Sequence, residues 1–334
     1  MSKSVDNVKV ALFGAGRIGK VHAANLFRHS QAELSAVVDV HTPSAEALAA
    51  QYGAQVKSEA EVFADSAIDA ILIGSATDTH AGLIEKGARA GKAIFCEKPI
   101  DLSVARVQAC LEVVKEHGAK LFVGFNRRFD KNFRALKEAL EEGSIGTPEL
   151  VQITSRDPGP PQLSYIEVSG GLFKDMTIHD LDMACWLMGE TPVKVSASGS
   201  CLVDTAIGEA GDIDTAVVTL EFAGGALAVI SNSRRAAYGY DQRIEVLGSS
   251  GMLQADNVLE STLIKSSAAG VTGQKPLHFF LERYAEAYRA ELDAFVTFVL
   301  GEANSEVSGE DGERALVLAE AAARALETGQ TQHL

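Results

Sequence analysis

The sequence predicts two folds in succession: an α/β domain with a parallel sheet, then an α+β domain with a mostly antiparallel, open sheet. In the first part, short apolar runs alternate with segments of helical spacing, which is typical of a parallel sheet covered by helices. In the second part, consecutive strand-like runs are joined by tight glycine-rich turns, which favours antiparallel pairing. We expect domains at residues 1–124 and 125–334, and the C-terminal helix 311–326 is a candidate to pack back on the first domain.

The individual elements follow from the spacing of apolar residues. In the first domain, strands are predicted at 8–13, 34–38, 70–73, 93–96 and 120–123, and helices at 18–28, 44–52, 79–90 and 103–117. In the second domain, helices are predicted at 129–142, 279–299 and 311–326, and strands at 193–201, 215–222, 226–233, 243–247 and 258–264.

A glycine motif closes the first strand and opens the first helix. Its glycines let the backbone turn and approach a pyrophosphate, whose charge suits the helix N-terminus. The strand before it and the helix after it make this reading more specific than the pattern alone. We therefore predict a dinucleotide-binding domain of the Rossmann type. The residues of the motif, all expected at the cofactor apart from Ala15, are Gly14, Ala15, Gly16, Arg17, Ile18 and Gly19.

Asp39 identifies the cofactor. It follows the second strand about 20 residues after the last glycine, where a carboxylate binds the ribose hydroxyls of the adenosine. An acidic group there repels a 2′-phosphate, and the next three residues, Val40 to Thr42, include no arginine to accommodate one. The sequence therefore predicts NAD rather than NADP.

The loop after the strand at 70–73 is a second candidate cofactor contact. Its small residues Ser75, Ala76 and Thr77 are able to flank the cofactor, although Thr77 is also a candidate helix cap. His80 falls in the first turn of the following helix, and its position is compatible with either packing or a place near the cofactor.

Lys98 is the first candidate catalytic residue. It follows the apolar run at 93–96, and a side chain at the end of a parallel strand projects into the crevice in which such sheets bind ligands. Pro99 bars Lys98 from helical geometry and holds it extended. The ammonium group is therefore aimed in one direction.

Asp175 and His179 are spaced so that they lie on one face of a helix, one turn apart. An imidazole beside a carboxylate suits a general base, since its pKa lies near neutrality and its orientation is fixed. A purely structural hydrogen-bonded pair is the alternative. The interpretation as a zinc site has less support, because Cys185 is the only soft ligand nearby, and no metal is expected. Asp180 and Asp182 are more typical of solvated or capping charges than of catalysts.

Composition excludes several classes of partner. The chain has 334 residues, 46% of them hydrophobic and 22% charged, which allows a large core and argues against disorder. A net charge of −15 disfavours nucleic acid and anionic membranes. Four dispersed cysteines suggest reduced thiols, and the first six residues have no apolar core of a signal peptide. We expect a cytoplasmic protein without a membrane anchor.

Three of these features together resemble the Gfo/Idh/MocA oxidoreductase family. They are the glycine turn, the Glu97-Lys98-Pro99 motif and the helix with Asp175 and His179, and they span essentially the whole chain. The segments 124–130, 155–161, 169–182 and 238–241 further resemble the inositol dehydrogenases of that family.

The resemblance implies roles for named residues. Glu97 is expected at the cofactor, Lys98 to stabilise the developing alkoxide, His179 to accept the hydroxyl proton and Asp175 to hold a neighbouring hydroxyl or orient the base. The positions expected to recognise substrate are Lys98, Arg127, Arg128, Asp157, Asp175, His179, Tyr238 and Tyr284. For each of the two arginines a salt bridge is equally compatible.

The expected activity is NAD-dependent oxidation of myo-inositol to an inosose, 2-keto-myo-inositol, in inositol catabolism. Other substrates in the same class are scyllo-inositol, chiro-inositol and glucose. Two readings from other classes are an NAD-dependent glycosidase and a non-catalytic NAD sensor, although a sensor would be expected to lose Lys98, Asp175 or His179. The resemblance also implies a homotetramer, formed through the sheet of the second domain.

Overall fold

The chain forms two compact units. The computed structural model describes residues 7–334, and the first six residues, in which we found no signal-peptide core, lie outside the described residues. The first unit contains the described residues up to Asn126 and also Tyr288–Glu313, and the second contains Arg127–Ala287 and Arg314–Leu334. The boundary predicted between residues 124 and 125 lies close to this division. Of the helix 311–326, which we considered as packing on the first domain, only residues 311–313 belong to the first unit, and the assignment of residues 288–310 to that unit was not predicted.

The first unit is a parallel α/β sheet, as predicted. Six strands pair in the order β3-β2-β1-β4-β5-β6, and every pairing is parallel. The strand order reverses between β1 and β4, where open α/β sheets bind their ligands. The elements are β1 Val8–Phe13, α1 Arg17–Arg28, β2 Ala32–Val38, α2 Thr42–Tyr52, β3 Gln55–Val56, α3 Glu59–Ala64, β4 Ala70–Ile73, α4 Thr77–Arg89, β5 Ala93–Glu97, α5 Val104–Glu116 and β6 Leu121–Gly124.

The predicted strands of this unit were recognisable because they are buried on both faces. All four residues of β4 and all four of β6 are buried, so these strands read as continuous apolar runs. The short elements β3 and α3 escaped prediction. Both residues of β3 are exposed, so no apolar pattern marks that strand, and α3 is defined mainly by the capping box of Ser58 and Glu61.

The second unit contains a mixed seven-stranded sheet with helices. The strands pair in the order β12-β11-β7-β10-β9-β8-β15, and all pairs are antiparallel except β7 with β10. The remaining elements of the chain are α6 Lys131–Glu141, β7 Pro148–Arg156, α7 Leu163–Ser169, a π-helical turn Phe173–Thr177, α8 Ile178–Met188, β8 Lys194–Ser200, α9 Thr205–Glu209, β9 Thr215–Glu221, β10 Leu227–Ser233, β11 Asp241–Gly248, β12 Gly251–Ala255, β13 Lys265–Ser267, β14 Gly270–Thr272, α10 Phe280–Arg283, α11 Ala285–Leu300, α12 Gly309–Thr328 and β15 Gln332–His333.

The structure corrects three predictions in this part of the chain. The strand predicted at 258–264 is wrong: the segment is largely exposed and pairs only through the isolated bridge of Leu259 with Pro276. The central strand β7 was missed, although five residues of alternating burial precede Arg156. The helix predicted at 279–299 is two helices, interrupted at Tyr284.

Two further features of the described residues concern the length of apolar helices and the state of the cysteines. No helix within residues 7–334 is long and apolar enough to cross a membrane. The four cysteines of this part of the chain form no disulfide, and three of them, Cys96, Cys110 and Cys185, are buried.

Candidate active site

The glycine turn of the first unit fits a dinucleotide. Gly14 has a φ of +103°, and a Cβ on it would lie 2.5 Å from the carbonyl oxygen of Gly74, so the loops after β1 and β4 touch where the strand order reverses. A Cβ on Gly19 would lie 1.9 Å from the carbonyl oxygen of Gly14, so only glycine lets α1 pack this closely. Beside Gly16 there is open space, and no side chain caps the N-terminus of α1. Exposed backbone N–H groups beside open space suit a pyrophosphate.

Asp39 is anchored to this turn. Its Oδ2 accepts a hydrogen bond of 2.6 Å from the backbone N–H of Ala15, and its Oδ1 accepts one of 2.8 Å from that of His41. The carboxylate is therefore held at the end of β2, beside the glycine turn. This geometry fits the ribose hydroxyls of NAD, because carboxylate oxygens retain further acceptor capacity.

His80 joins two loops of the first unit. Its Nδ1 lies 2.8 Å from the carbonyl oxygen of Pro99, and its Nε2 lies 3.2 Å from that of Ser75. Burial lowers the pKa of His80. The imidazole thus ties the loop of Ser75, Ala76 and Thr77 to the segment that carries Lys98. No side chain caps the N-terminus of α4, so the capping role considered for Thr77 is absent.

Lys98 follows the last residue of β5, as its place after a buried strand predicted. The side chain is partly exposed, and the peptide bond to Pro99 is cis. Oε1 of the preceding Glu97 lies 2.7 Å from Nε2 of the buried His22, within hydrogen-bonding distance. The strand end is therefore held in place from the α1 side.

Asp175 and His179 stand at a change of helical pitch in the second unit. Asp175 belongs to the π-helical turn, and His179 is the second residue of α8. Both side chains are partly exposed. Tyr165 donates a hydrogen bond of 2.8 Å to Oδ1 of Asp175, and Arg234 donates one of 3.2 Å to Oδ2. π-helical turns inside helices occur frequently at functional sites.

Arg127 and Arg128 both form buried ion pairs. Arg127 pairs with Asp180, and Arg128 makes a two-pronged pair with Asp182, with Nε and Nη2 at 2.9 and 2.5 Å from its oxygens. The expectation that Asp180 and Asp182 are solvated or capping charges is therefore wrong. Because α8 is buried nearly all round, its carboxylates require buried partners, and the arginines that follow β6 provide them.

The remaining three candidates differ in exposure. Burial, and then the charge of Asp175, raises the pKa of Asp157 to about 7. Tyr238 is 42% exposed, and its hydroxyl donates a hydrogen bond of 2.6 Å to Asp241. Tyr284 is buried, and burial raises its pKa to about 12. Its hydroxyl lies 3.2 Å from Oε1 of Gln242.

Sequence reasoning missed a buried polar network behind these residues. Asn232 donates a hydrogen bond of 2.8 Å to Asp180, and the Ser155 hydroxyl lies 3.3 Å from Nη2 of Arg127. Arg234 was missed as well. A signal was present: in β10 the inward positions run Ala228, Ile230, Asn232, and their alternation continues to Arg234 just beyond the strand, so polar groups replace apolar ones towards one end. Polar residues at inward positions mark a site.

The chemistry available in each unit is now defined. The first unit has a dinucleotide cradle and a lysine at a strand end. The second has a carboxylate and an imidazole on one helical segment, backed by buried charge. Residues 7–334 contain no group of three His, Cys, Asp or Glu residues placed to hold a metal ion.

The fold and these residues define an NAD-dependent oxidoreductase. Residues 8–125 match the oxidoreductase family with an NAD-binding Rossmann fold, and residues 133–254 match the GFO/IDH/MocA C-terminal domain. The chain belongs to the GFO/IDH/MocA oxidoreductase family. NAD is its cofactor.

Several relatives are similar over nearly their whole length. An inositol 2-dehydrogenase of Rhizobium meliloti is 52% identical, covering 96% of this chain and 97% of the relative, and a myo-inositol 2-dehydrogenase of Thermotoga maritima is 50% identical, covering 96% of each. Among solved structures, a myo-inositol dehydrogenase from Corynebacterium glutamicum superposes with a TM-score of 0.95 at 43% identity, covering 98% of this chain and 99% of that chain. A scyllo-inositol dehydrogenase from Lactobacillus casei, with bound NAD(H) and scyllo-inositol, superposes with a TM-score of 0.91 at 30% identity, covering 98% and 99%.

Proposed function

We propose that this protein oxidises myo-inositol with NAD at one ring hydroxyl, giving the inosose 2-keto-myo-inositol, as a step of inositol catabolism in the cytoplasm. The observation that carries the proposal is the partly exposed Asp175–His179 segment, backed by buried charge, in a chain about half identical to inositol 2-dehydrogenases. A cytoplasmic location is supported by four cysteines without a disulfide.

Each proposed catalytic residue has one task. His179 accepts the proton of the reacting hydroxyl, since an imidazole works as a base near neutral pH. Lys98 stabilises the negative charge that develops on that oxygen, because a fixed ammonium group needs no reorganisation during the reaction. Asp175 holds a neighbouring hydroxyl or orients the base. NAD, held by the glycine turn and Asp39, would supply the hydride acceptor.

We assign substrate recognition to four residues, Arg127, Asp157, Tyr238 and Tyr284. Arg127 and Tyr284 are buried, so little of either side chain is available to contact a substrate. Arg128 pairs with both oxygens of Asp182, which favours a structural role in the segment before α6 over contact with substrate. A polyol suits such a set because donors and acceptors pair with adjacent hydroxyls, and a wrong stereoisomer leaves buried groups unpaired.

The test is NADH formation, followed by absorbance, across myo-, scyllo- and chiro-inositol and glucose, with NAD and NADP compared. We expect turnover of myo-inositol with NAD. Lys98→Met and His179→Asn are each expected to lower kcat by about 100- to 10,000-fold, the range for lost charge stabilisation or base catalysis. Lys86→Met, at an exposed lysine of α4, is the control. If no cyclitol were turned over, the assignment of myo-inositol as the substrate would be refuted. Near-normal turnover by Lys98→Met would refute the role of the lysine.

We also propose a homotetramer, formed through the outward face of the seven-stranded sheet. Leu150 pairs with Leu227 on one side and Leu247 on the other, and Leu247 pairs with Met252. These four residues, which we call the leucine row, run across four strands on the face opposite Asn232 and Ser155. Leu227, Leu247 and Met252 are 39–51% exposed. An apolar row of this kind favours burial against another copy.

A further inference from the structure

Arg234 stands behind Asp175 and has no role in the proposed chemistry so far. It follows β10 on the inward side of the sheet and is 1% exposed. Its Nη1 donates a hydrogen bond of 3.2 Å to Oδ2 of Asp175, and its Nη2 lies 3.7 Å from Oδ2 of Asp212. One guanidinium therefore bridges two carboxylates from distant parts of the chain.

The second carboxylate holds the start of the π-helical turn. Oδ1 of Asp212 accepts a hydrogen bond of 3.0 Å from the backbone N–H of Leu172, just before the turn begins. A Cβ on Gly171 would lie 2.9 Å from the same oxygen, so the backbone approaches Asp212 closely there. Through Asp212 and Asp175, Arg234 is connected to both the beginning and the middle of the segment that carries the catalytic pair.

Stability alone gives no reason for an arginine at this position. Nε and Nη2 of Arg234 make no hydrogen bond to any described residue, although both are buried. A buried guanidinium with unsatisfied nitrogens pays a desolvation cost, and apolar replacements of buried ion pairs are often neutral or stabilising. A positive charge retained at such a cost indicates an electrostatic or positioning task.

The charges around Asp157 indicate that task. Burial and the negative charge of Asp175 raise the pKa of Asp157, and the charge of Arg234 opposes this rise more than that of any other group. Arg127 opposes it as well, and Asp180 adds to it. Burial raises the pKa of Tyr240, and the charge of Asp157 adds to that rise. Arg234 thus offsets the repulsion between the carboxylates of Asp157 and Asp175.

We propose that Arg234 is a positioning residue for the reaction. Its guanidinium, paired with Asp212, holds the carboxylate of Asp175 in place. Its positive charge also reduces the repulsion between the carboxylates of Asp157 and Asp175. This inference rests on the proposed function, in which Asp175 acts on a hydroxyl of the substrate. Arg234 itself touches no reacting atom. Its effect passes through the two carboxylates.

The test compares Arg234→Lys with Arg234→Met in the full-length protein. Lysine keeps the charge but loses the fork that spans two carboxylates, so kcat is expected to fall about tenfold, with little change in KM. Methionine loses both, and kcat is expected to fall about 100-fold, the effect of a misplaced catalytic group. Arg283→Met is the matched control, because Arg283 is also buried and also has two nitrogens without hydrogen bonds, but its ion pair is with the single aspartate Asp130.

A second readout separates positioning from folding. The carboxyl of Asp157, followed by NMR of protein labelled with ¹³C at aspartate carboxyls, is expected to titrate at higher pH in Arg234→Met, at nearly the wild-type pH in Arg234→Lys, and unchanged in Arg283→Met. Each variant changes one partner of an ion pair and leaves the carboxylate in place, which destabilises even where replacing the whole pair would not. All three are therefore expected to lose thermal stability, and a change in Tm does not decide the question.

The outcomes distinguish the two proposals. If the wild type turns over no cyclitol, the proposed function fails, while the titration still decides whether Arg234 controls the carboxylates. If the wild type oxidises myo-inositol and Arg234→Lys keeps the wild-type kcat, the bridge is not needed and the inference is overturned. An unchanged titration of Asp157 in Arg234→Met would overturn the electrostatic part.

Discussion

At the scale of single residues, the first unit buries a carboxylic acid that has no hydrogen-bonding partner among the described residues. Glu291 of α11 has no exposed surface, and neither of its oxygens is hydrogen-bonded. It lies one helical turn beyond Tyr288, whose ring meets that of His22, the partner of Glu97. Burial, and then the charge of Glu97, raises the pKa of Glu291 well above its ordinary value. Burial therefore favours the neutral, protonated form of this carboxyl in the folded protein.

This predicts a pH-dependent gain from Glu291→Gln. A carboxyl whose pKa is raised in the folded state stabilises fully below its unfolded pKa, and that contribution is lost as the pH rises towards the folded pKa. The unfolded chain ionises near pH 4.5. Relative to wild type, Glu291→Gln should therefore gain stability between pH 5 and pH 8, by more than about 1 kcal/mol at the upper end. Denaturant unfolding at both pH values measures this.

The control for this prediction is Glu46→Gln, which removes the charge of an exposed glutamate in α2 of the same unit. Its effect on stability should stay within about 0.5 kcal/mol at both pH values. A Glu291→Gln variant whose stability follows the wild-type pH dependence would show that Glu291 does not bind its proton more tightly in the folded protein.

At the scale of elements, the entry to the π-helical turn depends on one glycine. Gly171 has a φ of +82°, and the oxygen of Asp212 that accepts the Leu172 N–H occupies the space a side chain would take. Both constraints apply at once: the backbone conformation favours glycine, and the close contact excludes a Cβ. The segment that carries Asp175 therefore begins at a position specified by local conformation and by a distant carboxylate together.

Gly171→Ala is expected to cost stability and activity together. The matched control is Gly53→Ala at the end of α2, where φ is +73° but no heavy atom lies within 4 Å of the added Cβ. The control should lose about 1 kcal/mol from backbone strain alone. Gly171→Ala should lose about 1–3 kcal/mol more, since Asp212 must move, and kcat should fall about tenfold or more as Asp175 shifts. Equal losses of stability in both variants, with kcat unchanged, would contradict this account.

At the scale of the whole molecule, the leucine row predicts how copies of the chain associate. A glutamate introduced there places a charge in a surface that is buried in the proposed assembly, and uncompensated buried charges are strongly unfavourable. Leu247→Glu should therefore convert the proposed tetramer to smaller species, as measured by analytical ultracentrifugation. Phe27→Glu, at a residue of α1 that is 62% exposed, should leave the assembly intact. A wild-type monomer, or a Leu247→Glu tetramer, would contradict the proposed interface.

Elements were predicted correctly where the pattern that marks them lies within one short stretch of the sequence. The strands of the first unit are continuous apolar runs, and the glycine turn is a contiguous motif, so both were predicted and confirmed. The strand predicted at 258–264 failed because an apolar stretch on an exposed loop has the same composition as a strand. The strand β7 was missed because both strands that it pairs with, β10 and β11, lie far from it in the sequence.

The sequence by itself determined the two classes of fold, the nucleotide cradle with Asp39, and the spacing of Asp175 and His179, because each depends on residues close together in the chain. Only the tertiary structure decided which charges are buried together. Asp180 lies 53 residues from Arg127, and Arg234 lies 59 residues from Asp175, so no periodicity connects the partners. The physical reason is that a buried charge takes its role from the group packed against it. That group is chosen by the packing of strands and helices, which no local pattern records.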